Sequence, residues 1–127
     1  MGDTSLGDIN GVPFSEQWNG TSWTLIAPMP AASGAGVTGS SLSSVSCAGP
    51  SFCQAVGQIV APAERNFIET WNGTKWSIDP SVPNPSTTRQ GLAGVDCFSA
   101  TSCTAVGTAE TPTIADSTLV LVWNGTS

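Results

Sequence analysis

Leu42-Ser43-Ser44-Val45-Ser46-Cys47, five residues, then Cys53-Gln54-Ala55-Val56-Gly57 recurs 50 positions on as Leu92-Ala93-Gly94-Val95-Asp96-Cys97, five residues, then Cys103-Thr104-Ala105-Val106-Gly107. A second block alternates with it. Trp18-Asn19-Gly20-Thr21-Ser22-Trp23 returns 53 positions later as Trp71-Asn72-Gly73-Thr74-Lys75-Trp76, and begins again 52 positions after that as Trp123-Asn124-Gly125-Thr126-Ser127. A period near 50 residues marks an array whose units bury their apolar faces against one another. The length differences fall in residues 27–41 and 79–91, rich in Pro, Gly and Ser, where loops are expected.

One repeat reads as four short strands: a (42–47), b (53–60), c (67–71) and d (75–78). Each is rich in Val, Ile, Phe, Trp or Thr and is bounded by Gly, Pro, Asn or Ser. No helical period competes, and the strong helix formers are scarce. The expected fold class is all-β, with four-stranded antiparallel sheets stacked as β-propeller blades. On this phase residues 1–13 are a polar N-terminal leader and 14–127 the repeat domain. Within that domain 14–26 hold strands c and d, 42–79 a complete blade, and 92–127 strands a, b and c. About two blades result, whereas a closed ring needs four or more. Closure is therefore expected from a homo-oligomer or from further blades. Both ends of the chain then bring a c strand.

Asn-Gly between strand residues predicts a two-residue type I′ turn. On that register Trp71 pairs with Thr74, Thr70 with Lys75 and Glu69 with Trp76, so that Glu69, Trp71, Thr74 and Trp76 share one face and the two rings are diagonal neighbours. Glu16, Trp18, Thr21 and Trp23 form the same face in the first repeat, and Leu121 takes the glutamate's place in the third. The five tryptophans, Trp18, Trp23, Trp71, Trp76 and Trp123, either pack between blades or offer a ring to a sugar at the rim. Asn-Gly-Thr at Asn19, Asn72 and Asn124 also matches a glycosylation sequon, although turn chemistry already explains Asn and Gly.

Cys47 and Cys53 flank one a–b connection, and Cys97 and Cys103 flank the next. A disulfide within each hairpin is the leading reading. Free thiols and a metal are the alternatives, the latter with C-x5-C spacing and no His to help. Matched cysteine pairs point to an oxidising compartment. Residues 1–11 show neither a basic n-region nor an apolar h-region, so no signal peptide is expected there. The two observations are reconciled by a mature or excised piece of an extracellular, secreted protein.

Nine acids and three cations give a formal charge of −6, which argues against nucleic acid. No apolar run is long enough for a membrane span. Without His there is no imidazole for acid–base work, and no G-x-S-x-G or phosphate-binding glycine pattern occurs. Glu69 with Asp79, or Asp96 with Glu110, are the carboxylate pairs a glycosidase would need, but nothing in the sequence singles them out. No catalytic residue, metal or cofactor is expected.

The order W-N-G-T-x-W, the Pro-rich stretch Pro80-Ser81-Val82-Pro83-Asn84-Pro85, then L-x-x-V-x-C-x5-C-x-A-V-G resembles the tandem-repeat proteins secreted by high-GC Gram-positive bacteria. The resemblance runs from Phe14 to the C-terminus. It implies a β-propeller, secretion and hairpin disulfides, and it brings no catalytic residues. The expected function is a non-catalytic binding or scaffold module, for a glycan or a cell-surface protein, assembling from several copies. A fragment of a propeller hydrolase, or a purely structural self-assembly unit, is the alternative.

Overall fold

The computed structural model describes residues 4–9, 12–25, 36–85, 88–113 and 117–126, which form ten β-strands and no helix. The strands are β1 (Thr4–Ile9), β2 (Val12–Trp18), β3 (Trp23–Leu25), β4 (Gly39–Gly49), β5 (Phe52–Val60), β6 (Arg65–Trp71), β7 (Trp76–Ile78), β8 (Arg89–Ser99), β9 (Ser102–Glu110) and β10 (Ser117–Trp123). They make three antiparallel sheets: β1-β2-β3, β4-β5-β6-β7 and β10-β9-β8. The chain is all-β, and its middle sheet carries the four strands expected of one repeat.

The pattern L-x-x-V-x-C has a spacing that a flat strand cannot use, because residues three apart point to opposite faces. Yet Leu42, Val45 and Cys47 all pack beside Cys53, Ala55 and Trp76. The ladder explains this. Leu42 pairs with Gly57 and Ser44 with Val56, so Ser43 is an extra residue in a β-bulge. The same shift falls between Leu92 and Gly94, opposite Gly107 and Val106. The bulge presses the chain against its partner strand. A Cβ on Gly57 would overlap the Ser41 carbonyl oxygen, and one on Gly107 would overlap that of Gly91. The glycine of A-V-G is therefore demanded by close backbone approach.

Two expectations change. Residues 1–13 are not a bare leader: Thr4–Ile9 form β1 and Val12 begins β2. Ile9 pairs with Val12, leaving Asn-Gly between them, and Gly7 pairs with Phe14 as Gly57 pairs with Phe67. Ser5-Leu6-Gly7 is thus a worn copy of Ala55-Val56-Gly57, 50 positions before it. The N-terminal sheet corresponds to strands b, c and d, and the C-terminal sheet to a, b and c. The second change concerns the loops. Gly39 to Ser41 belong to β4 and Arg89 to Gly91 to β8; residues 26–35 and 86–87 lie outside the described residues.

The sheets stack face to face. β5 and β6 pack on β8 as β1 and β2 pack on β4, so these strand contacts recur at both junctions. β4 also packs on β8, a contact without a counterpart at the first junction, where the N-terminal sheet has no a strand. The core between the middle and C-terminal sheets holds Val56 and Ile68 against Leu92, Ala105, Leu119 and Ala109, with Val82 from the β7–β8 connection. The edge strands β4 and β8 are also tied by side chains. Ser46 Oγ accepts the Cys97 N–H at 2.9 Å, and Ser44 Oγ accepts the Val95 N–H at 3.3 Å. These hydroxyls satisfy amides of β8 that its own sheet leaves free.

Candidate functional site

The Trp hairpin is tied by its asparagine, not by a two-residue turn. Trp71 pairs with Trp76, Thr70 with Ser77 and Glu69 with Ile78, so four residues form the loop. Asn72 Oδ1 accepts the Thr74 N–H at 2.9 Å, the Thr74 hydroxyl at 2.8 Å and the Lys75 N–H at 3.0 Å. This Asx arrangement holds the chain open by two residues more than a type I′ turn would. Asn19 and Asn124 make the same contacts to Thr21 and Thr126. Gly20, Gly73 and Gly125 take φ near 100°, the region that favours glycine. A slip of two preserves facing, so Glu69, Trp71 and Trp76 still share a side, while Thr74 sits in the loop.

The paired rings are opposite each other, not diagonal. Their centroids lie 5.7 Å apart at 48° for Trp71 and Trp76, and 5.6 Å apart at 49° for Trp18 and Trp23. Tilted contacts at this distance are favourable for aromatic quadrupoles.

The five rings meet different fates. Trp71 Nε1–H donates to the Pro50 carbonyl at 3.3 Å, and Trp123 Nε1–H to the Ala100 carbonyl at 3.0 Å. Each therefore pins the a–b hairpin turn of its own sheet to the c strand. Trp76 is 3% exposed and donates its Nε1–H to the buried Ser15 hydroxyl at 3.0 Å, across the junction with the N-terminal sheet. Trp23, its counterpart, is 48% exposed because no sheet among the described residues covers that side. Ser15 was not singled out by the sequence reading. The signal was available: Ser15 stands where Ile68 and Val120 stand in the other repeats.

The cysteines are joined as Cys47–Cys53 and Cys97–Cys103, so thiolate chemistry and a thiol metal site are both closed to them. Among the described residues no group of three or more His, Cys, Asp or Glu gathers where it would hold a metal.

Glu69 is fully buried, and neither carboxylate oxygen has a hydrogen-bond partner. Burial pushes its pKa up to about 8. It does not converge with Asp79. Glu69 shares the face of Ala55 and Trp71, whereas Asp79 lies beside Ile68 and Gln54 of the other face, its Oδ1 occupied by the Ser81 N–H and hydroxyl. Asp96 pairs with Thr104 and Glu110 with Arg89, at opposite ends of the β8–β9 hairpin. At about 3.4 Å per residue this separates them by roughly 20 Å, well beyond the spacing of a glycosidase pair.

Two hollows flank the β7–β8 connection. One, of about 60 Å³, is lined by Ile68, Ala105, Leu121 and Trp123 and holds the unpartnered Nε2 of Gln54. The other, of about 280 Å³, lies among Arg65, Asn66, Asp79 and Asn84. There the Asn66 N–H donates to Asn84 Oδ1 and Asn66 Nδ2 to the Pro83 carbonyl, which holds the connection against β6.

Compared with known proteins, the chain matches no family model, no curated protein and no solved structure.

Proposed function

We propose that the chain is a non-catalytic scaffold of β-propeller blades, extracellular and built to assemble through its sheet faces. The observation that carries this is the repeated junction: the middle sheet sits on the N-terminal sheet as the C-terminal sheet sits on the middle one. The contacts that recur, strands b and c of one sheet on strand a of the next, imply a similar rotation from sheet to sheet, and strands β4 and β8 then lie beside one axis. The two disulfides are compatible with an extracellular location. A crystal structure is the test. Successive sheets related by one rotation about an axis next to β4 and β8 would support the reading. A two-fold sandwich, or sheets related by translation alone, would overturn it.

A glycan-binding reading rests on Trp18 and Trp23, whose tilted pair lies on a face open in the single chain, and it excludes any cover of that face by another sheet. It predicts that Trp23→Ala abolishes capture on a glycan array while leaving the fold intact. Absence of any glycan captured by the unmodified protein would remove it, along with a carbohydrate partner. Trp71, Trp76 and Trp123 are spoken for by packing and hydrogen bonds within the protein.

A further inference from the structure

The two outermost faces are unlike; the C-terminal one repeats strands b and c of one side of the internal junction, and the N-terminal one repeats strands c and d of the other. On the C-terminal sheet Val106, Val120 and Val122 are 45%, 55% and 70% exposed. They are the counterparts of Val56, Ile68 and Thr70 by strand register, and Val56 and Ile68 are buried by the next sheet. On the N-terminal sheet Trp23 is half exposed and Leu25 is 65% exposed. Their counterparts, Trp76 and Ile78, lie on the face whose tryptophan is sealed against Ser15. Three valines side by side in water, on a chain otherwise rich in Ser and Thr, form an apolar patch of the kind that marks an interface.

We infer that these faces are mates: the Val106/Val120/Val122 face of one copy is covered by the Trp23/Leu25 face of a second copy. The inference rests on the blade reading above and names its partner. The occupant is a second copy because Trp23 and Leu25 are this chain's own counterparts of Trp76 and Ile78, and Trp76 is already seated on such a face at Ser15. The N-terminal sheet brings strands b, c and d to the contact and no counterpart of β4. Val120 would stand opposite Trp23 as Ser15 stands opposite Trp76, so this contact rests on apolar burial in place of a hydroxyl bond. A junction between unlike faces is heterologous: it propagates head to tail and ends in a ring or a filament.

The experiment uses two single-face variants of the full chain, Val122→Lys and Leu25→Lys, with mass read by sedimentation. Both positions are exposed in the single chain, so both variants should fold. The unmodified protein is expected to assemble. Each variant alone should sediment at the mass of one chain, because every junction needs both faces. Mixed in equal amounts, the two should form a 1:1 pair of twice that mass, since one sound face of each kind remains. Val106→Lys and Trp23→Lys repeat the experiment at a second position on each face, should one variant fail to fold. An unmodified protein that stays monomeric at micromolar concentration, a single variant that still assembles, or a mixture that does not pair would each overturn the inference. Pairing without a common rotation axis would sink only the propeller reading.

Discussion

Trp76 and Ser15 meet across a sheet junction, indole N–H to hydroxyl oxygen at 3.0 Å, 61 residues apart in the chain and both buried. Ser15→Ala should cost about 1–3 kcal/mol, because the indole donor stays buried without an acceptor. Trp76→Ala should cost about 3–5 kcal/mol. Trp23→Ala, at the open face, should cost far less in the single chain. Denaturant unfolding of the three variants measures this; equal losses at Trp76 and Trp23 would contradict the burial difference.

Glu69 makes stability pH-dependent in a sense opposite to most carboxylates. Its folded pKa of about 8 lies above the ordinary value of 4.5, so between those limits the folded chain binds more protons than the unfolded one. Stability therefore falls as pH rises through that window, by an amount on the order of a few kcal/mol. Glu69→Leu, which copies Leu121 of the C-terminal sheet, should flatten the slope and stabilise the protein most at pH 8 and above. Unfolding midpoints of both proteins from pH 4 to 9 check the sign.

Gly57→Ala and Gly107→Ala each drive a methyl into a neighbouring carbonyl across the bulge. Losses of about 3 kcal/mol or more are expected, since a carbonyl of the backbone cannot step aside as a side chain can. Gly39→Ala and Gly49→Ala meet open space and serve as controls. Thermal melts separate the two pairs.

Without reductant, a thiol-blocking reagent should label no cysteine by mass spectrometry. Opening either hairpin disulfide by double substitution to Ala should cost about 2 kcal/mol, the chain-entropy value for so short a loop.

Strand positions in the middle repeat were legible because Val, Ile, Phe and Cys sit between Gly, Pro and Asn punctuation there; β5 and β7 fall within a residue of the expected strands. The facing of Glu69, Trp71 and Trp76 was legible too, since a slip of two leaves side-chain parity alone. The register was not, because Asn72 uses its side chain to cap Thr74 and Lys75, a bond that residue type alone does not announce. β1 escaped notice because Ser5-Leu6-Gly7 keeps the glycine of its repeat but not the alanine and valine before it. The difference between Trp76 and Trp23 was beyond reach for another reason: identical hairpins differ only in whether a sheet lies on them.

Both disulfides close within a single hairpin, six positions apart, and neither crosses from sheet to sheet. Pulled from its two ends, the molecule would carry the load between sheets through packing, a few hydroxyl contacts and the bonds of Glu64 to Arg89 and Thr88, with no covalent crosslink. It should therefore lengthen in steps, one sheet peeling away at a time, while each crosslink withholds about 20 Å of contour from extension.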